Sequence, residues 1–293
     1  MHILRQHRHA KRDYLVRGIP SSKTSRNIVA IHGFGGNKET WAALATEVSL
    51  NDCAFIGFDL PGHGLNKLSS KTSDDFSQEF ARTLRQVILE FEISRPHIIA
   101  RDAGAFLFLE YIQKMMENGT NVADKFASLM LINPIIGSLE SVLPAQLHRL
   151  VRFLGPNRLH SFELAAPILK FVRAMPNCSV DFLGEFFHGL KTTDRLALRL
   201  FYNQLNQTGP KIEHALESAQ IDLPGKIAVI NGELDIILNN PRAKRLIEKC
   251  LANKKERLKL EPTPTAFYPE LEAAPEIAEI INRIIFARQD QTF

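Results

Sequence analysis

The chain is poor in cysteine. Across 293 residues it has only Cys53, Cys178 and Cys250, an odd number, widely separated and never in Cys-x-x-Cys spacing. This argues against a disulfide framework and reads as reduced thiols used in packing, the pattern of a cytoplasmic protein. Long apolar runs are also missing. None approaches the roughly 18 residues that a membrane span requires, so no membrane association is expected. The opening stretch MHILRQHRHAKRDY is basic but has no apolar stretch, so it does not read as a signal peptide. There is no internal repeat and no low-complexity tract. Neither sign of charge dominates: the formal net charge is +4. Most of that excess lies near the N-terminus, in Arg5, Arg8, Lys11, Arg12 and Arg17, with His2, His7 and His9 among them. Such a cluster suits an anion or nucleic-acid contact, or a solvated edge strand or tail; the second reading is preferred, and nucleic acid is not an expected partner.

What is present is ordinary for a globular protein, with 45% hydrophobic and 23% charged residues. A chain of this length buries about three-quarters of its unfolded surface and needs no structural metal. Short apolar runs alternate with longer amphipathic stretches, the signature of βαβ units and a mostly parallel sheet. Strands are expected at Asn27–Ile31, Ala54–Asp59, His97–Arg101, Leu129–Asn133, Ile227–Asn231 and Arg257–Leu260. Helices are expected at Lys38–Leu50, at Asp74–Phe91, after Arg101 to about Met116, and at Pro275–Ala287. Residues 135–221 break the alternation. They are helical in character and punctuated by Pro144, Pro156, Pro167, Pro176 and Pro210. The expected organisation is a core of residues 1–134 and 222–293, with 135–221 as a helical lid over the crevice beyond the strand ends.

Three marks carry chemistry. His32-Gly33-Phe34-Gly35-Gly36-Asn37 follows the first clear strand, and its glycines let a loop pass close to a ligand. Asp59-Leu60-Pro61-Gly62-His63-Gly64 follows the second, where proline and two glycines force a sharp turn. Ala100-Arg101-Asp102-Ala103-Gly104 forms a tight turn after the third. Together these marks resemble the α/β-hydrolases, in particular their small esterase and C–C-bond hydrolase branch, and the resemblance spans nearly the whole chain. It implies an α/β-hydrolase fold: a mostly parallel central sheet flanked by helices, with a helical lid. It also implies that the N–H of Phe34, next to Gly33, is half of an oxyanion hole whose other half is the N–H of Ala103. His32 and His63 match structural positions of the family.

The third mark departs from the family. The nucleophile elbow is Gly-x-Ser-x-Gly, a strained strand-to-helix turn. Here Asp102 stands in the place of the serine, and no Gly-x-Ser-x-Gly occurs elsewhere. Gly104 is kept and lets the helix pack closely. Asn231-Gly232-Glu233-Leu234-Asp235 places Asp235 on the acid. The histidine is missing: Phe267-Tyr268-Pro269-Glu270-Leu271-Glu272 puts Phe267 at its position, and His214 is the last histidine of the chain. Without an imidazole, general-base help worth about 10²–10⁴-fold is lost. His160 or His188, in the lid, would be the substitutes if either faced the pocket; surface or packing roles are preferred for both. The same holds for Cys178.

Two functions remain open. One is a non-hydrolytic ligand-binding or interaction protein, a pseudoenzyme in which Asp102 itself fills the oxyanion hole. The other is a hydrolase or lyase-type enzyme using Asp102 as nucleophile or acid/base. The phenylalanine-rich lid (Phe153, Phe162, Phe171, Phe182, Phe186, Phe187 and Phe201) suits a small apolar, acyl or aromatic ligand, or simply its own core. A protein partner fits the first function. No cofactor is expected: Gly33-Phe34-Gly35-Gly36 lacks the third spaced glycine of a dinucleotide loop, and no metal-ligand cluster stands out.

Overall fold

The computed structural model describes residues 5–9, 12–20, 26–48, 54–68, 75–142, 149, 188–189, 192–223, 225–232, 240–251, 258–263 and 273–286. Its strands are β1 (Arg5–His9), β2 (Arg12–Gly18), β3 (Ile28–Ile31), β4 (Ala54–Phe58), β5 (His97–Arg101), β6 (Ser128–Ile132), β7 (Lys226–Gly232) and β8 (Leu258–Thr263). They form one sheet in the order β1-β2-β4-β3-β5-β6-β7-β8. From β4 to β8 every neighbouring pair is parallel. β1 and β2 form an antiparallel hairpin, and β2 joins β4 antiparallel. This is an α/β-hydrolase fold, as expected.

The helices are α1 (Ala42–Glu47), α2 (Phe76–Glu90), α3 (Asp102–Glu117), the short α4 (Leu139–Val142), α5 (Arg195–Glu217), α6 (Asn240–Cys250) and α7 (Ala274–Phe286). The period of two along each strand divides the core into two layers. Val29, Ile31, Ile98, Leu129, Leu131 and Val229 face one side, packed with apolar residues of α2, α3, α5 and α6. Ile28, Ala30, Ile99, Met130, Ala228 and Ile230 face the other, with Trp41, Leu44 and the Ile277–Ile281–Ile284 stripe of α7. No described helix is long and apolar enough to cross a membrane.

Two expectations change. The helix expected over Lys38–Leu50 is a 3-10 turn, Lys38–Trp41, followed by the six residues of α1. Asn37 starts that turn by accepting from the Glu39 N–H at 2.9 Å, and the α-helix begins only after Trp41 is packed. The N-terminal region is an edge hairpin in which Tyr14, Leu15 and Val16 of β2 are buried. An edge strand is one of the forms expected there; the difference is that the apolar run of β2 is buried and not solvated. Most of residues 135–221, the segment read as a lid, lie outside the described residues. Its C-terminal part is the 23-residue α5, which Asp194 caps by accepting from the Leu196 N–H at 3.0 Å.

Candidate functional site

The parallel strands β3, β4 and β5 end together, and the three sequence marks leave the sheet at that edge. Ligands of open α/β sheets bind at this edge.

The turn after β5 is abrupt. Arg101 is the last residue of the strand and Asp102 the first of α3. Asp102 has φ +35°, in the left-handed region. A non-glycine residue there carries strain of about 1–3 kcal/mol, and aspartate tolerates it better than most. The close fit of α3 behind the turn depends on Gly104, where a Cβ would strike Ile31 and the His32 carbonyl.

The Asp102 side chain folds back over the sheet end and is 1% exposed. Its Oδ1 accepts from the backbone N–H of Phe34 at 2.8 Å and from the N–H of Ala103. Its Oδ2 lies 3.3 Å from a guanidinium nitrogen of Arg101, which is itself fully buried. Oδ2 accepts no hydrogen bond among the described residues. Burial pushes the Asp102 carboxyl up from its ordinary value, while Arg101 and the two amides pull it down. Gly33 lies directly beneath; a Cβ there would collide with the Asp102 carboxylate. The structure therefore brings Gly33, Phe34, Asp102 and Ala103 together. Asp235 and Phe267 lie outside the described residues, as do His160 and Cys178.

The two loop histidines hold the scaffold. Nε2 of His32 accepts from the Leu60 N–H at 2.9 Å, so the proton sits on Nδ1 and is donated to the Gly33 carbonyl at 2.7 Å. One neutral ring thus ties the loop after β3 to the loop after β4. Burial, with the neighbouring His63, lowers the His32 pKa well below its ordinary value. His63 is also buried. Its Nδ1 is 3.1 Å from the Pro61 carbonyl, and its Nε2 has no hydrogen-bond partner among the described residues. Burial lowers its pKa to about 4. His188 and His214 are exposed, and His97, at the opposite strand end, meets the Ser128 hydroxyl at 2.7 Å.

Several residues that hold this edge were not visible to sequence reasoning. Asp59 accepts from the N–H groups of Lys38 at 2.7 Å and Leu65 at 3.0 Å, and it pairs with the Lys38 ammonium at 3.5 Å. Burial alone would lower the Lys38 pKa, but Asp59, Glu39 and Asp13 raise it. Asn133, at φ +43°, accepts from the Gly232 N–H at 2.7 Å and ties the ends of β6 and β7. Burial of Arg101 went unseen because its partner is its own neighbour, and adjacent residues in a regular strand point apart.

The segment leading into α5 roofs the two glycine loops. A Cβ on Gly189 would strike the Gly35 carbonyl, the Asp194 N–H donates to the Gly62 carbonyl at 2.6 Å, and Ala197 packs on Gly62. Phe201 then stacks 5.4 Å from the Phe34 ring and touches Phe76 and Phe106 edge-on.

Comparison with solved structures agrees with this architecture. Three similar structures are a putative aryl esterase from Burkholderia cenocepacia (15% identity, TM-score 0.68, covering 94% of this chain and 95% of that one), an esterase from Exiguobacterium antarcticum (14%, 0.69, 94% and 96%) and a bromoperoxidase from Bacillus anthracis (13%, 0.68, 94% and 96%). At such identities the likeness is one of fold. No curated protein matches the sequence. The family model described as "Alpha/beta hydrolase family" matches residues 28–250, most of the chain, and the chain belongs to that family.

Proposed function

We propose that this protein is a non-hydrolytic member of the family, a ligand-binding or interaction protein in which Asp102 replaces the nucleophilic serine and Phe267 the histidine. The observation that carries the reading is the hydrogen bonding of Asp102. In an acyl-transferring hydrolase, two backbone N–H groups wait for the oxyanion of the tetrahedral intermediate. Here the corresponding amides, Phe34 and Ala103, both donate to Asp102 Oδ1. A substrate carbonyl would have to displace a tethered acceptor before gaining anything from them. His32 and His63 do not substitute for the lost base: the Nε2 lone pair of His32 is taken by the Leu60 N–H, and burial lowers both pKa values, which leaves each ring a weak base. On this reading the lid, residues 135–221, covers a small apolar, acyl or aromatic ligand, and Asp235 keeps the family's acid position without a dyad to serve.

Carboxylate nucleophilicity is the other use of an aspartate at this turn. It needs an oxygen free to attack carbon and a base to release the ester. Oδ1 is held by two amides; Oδ2 accepts no hydrogen bond among the described residues, but it faces Arg101 in a site that is 1% exposed, and this reading puts Phe267 where the base would stand.

The test is turnover of p-nitrophenyl acetate and butyrate, alongside intact-protein mass spectrometry after incubation with alkyl halides, epoxides and activated esters. The expected result is no turnover above buffer and no adduct on Asp102. Sustained turnover that disappears in Asp102→Asn, or an adduct mapped to Asp102, would overturn the reading.

A further inference from the structure

The outer surface between α2 and α3 carries a groove of about 770 Å³, away from the Asp102 turn. Its floor is apolar: Ile88, Leu89, Tyr111, Met115 and Phe126 line it. Leu89 is 76% exposed, one of the few large apolar side chains so placed among the described residues. The rim is basic. Arg85, Arg95 and Lys125 line the groove and are exposed, against a single lining acid, Asp124. A fourth cation, Lys114, is already paired: it bonds the Ser77 hydroxyl at 2.6 Å and meets Glu110 at 3.2 Å and Asp75 at 3.6 Å.

Glu92, at φ 49°, is the left-handed residue that ends α2: the Ile93 N–H donates to the Ile88 carbonyl at 2.9 Å and the Glu92 N–H to the Leu89 carbonyl at 3.2 Å. Arg95, at φ 48°, follows on the rim. Tyr, Met, Phe and Arg, the types found in and around this groove, are those enriched in protein interfaces.

We propose that this groove docks an acidic amphipathic helix from a partner protein. Its apolar stripe would lie on Leu89, Ile88, Tyr111 and Met115, and its carboxylates would meet Arg85, Arg95 and Lys125. An amphipathic helix laid in a groove between two helices is a recurrent recognition mode. The charge pattern selects the occupant. A second copy of this chain, docked through the same face about a two-fold axis, would bring the three cations against their own counterparts. An acidic helix neutralises them and is steered to the groove by their field. The proposal extends the interaction reading but does not depend on Asp102 being inert.

The test uses the full chain and a fluorescein-labelled helical peptide with leucines at i, i+3, i+4 and i+7 and glutamates elsewhere, followed by fluorescence anisotropy. A peptide of the same pattern with lysines for glutamates is the control. The acidic peptide is expected to bind about tenfold tighter than the basic one, and to weaken as salt rises from about 0.05 to 0.5 M. Leu89→Asp and the triple charge reversal Arg85→Glu, Arg95→Glu, Lys125→Glu should each lower affinity at least about tenfold while leaving the circular dichroism spectrum intact. Leu89→Ala, milder for folding, should weaken binding in the same direction. Failure of the acidic peptide to bind, equal binding of the two peptides, or binding unchanged in folded variants would overturn the proposal. So would a concentration-dependent dimer dissociated by Leu89→Asp, or capture by phosphatidylserine vesicles abolished by the same charge reversal without any peptide binding.

Discussion

Asp59 and Asp102 are both buried carboxylates that accept two backbone N–H groups and face a buried cation, yet they are built differently. Asp59 receives one amide on each oxygen and pairs with a lysine from a different loop, so its bonds join the loop after β4 to the turn before α1. Asp102 receives both amides on one oxygen, pairs with the residue just before it, and sits on left-handed backbone. Of the two, only Asp102 sits at a strained φ; burial pushes its carboxyl upward. The comparison separates a carboxylate that assembles the fold from one that occupies a position the fold was shaped to offer.

The contrast breaks most visibly at Asp59. Asp59→Ala removes the acceptor of two amides and leaves Lys38, 4% exposed, with its main partner gone. Removing one member of a buried pair typically costs about 3–5 kcal/mol. Urea unfolding at pH 7 should show a loss of that order, and a loss comparable to a surface substitution would mean that water already reaches Lys38.

Acid should reach the same edge by another route. His63 is held neutral with its pKa lowered from 6.5 to about 4. The neutral ring therefore contributes stability that is fully present above about pH 6.5 and is lost as pH falls through about 4. The expected loss is on the order of 3 kcal/mol. His32 acts in the same direction. Asp102 has the opposite sign: its raised value gives stability at low pH that is lost as pH rises through it. Urea unfolding from pH 7 down to pH 4 should show stability falling, and His63→Gln should flatten that fall. An unchanged slope would remove His63 from the account.

A third, smaller effect sharpens the Asp102 side. Gly33→Ala places a Cβ against the Asp102 carboxylate and should cost about 1–3 kcal/mol. In an Asp102→Gly background, which also relieves the positive φ, the same substitution should cost less. The double-mutant cycle measures the coupling directly, and a coupling near zero would mean the carboxylate does not rest on Gly33. The smallest expected change is Arg82→Ala. It breaks the Glu79–Arg82 pair at 2.6 Å on exposed α2, and should shift stability by less than about 0.5 kcal/mol.

Much of this edge was legible in the sequence. The glycine spacing placed Gly33 and Gly104 where a Cβ has no room, and the strand runs fixed which loops share the sheet end. An aspartate at the sharp turn after β5 was readable, and its acceptance of the Phe34 and Ala103 amides was one of the open readings. What the sequence hid depends on partners distant in the chain. A lysine in KETW looks like an exposed helix residue until Asp59 and Asp13 close around it. The Phe201–Phe34 stack was blurred among seven lid phenylalanines of equal apparent weight. Asn133 looked like the end of a strand, because a local pattern does not reveal that its amide oxygen will cap the neighbouring strand.

The order of the sheet has a bearing on how the protein behaves when crowded. Among the described residues its two outer strands are β1, RQHRH, and β8, LKLEPT. One is dense in cationic residues, and the other ends near Pro262, which has no amide hydrogen to offer a further strand. Lateral growth from either side would stack like charge on like charge or meet a missing donor. Either margin is therefore a poor template for the strand of another chain.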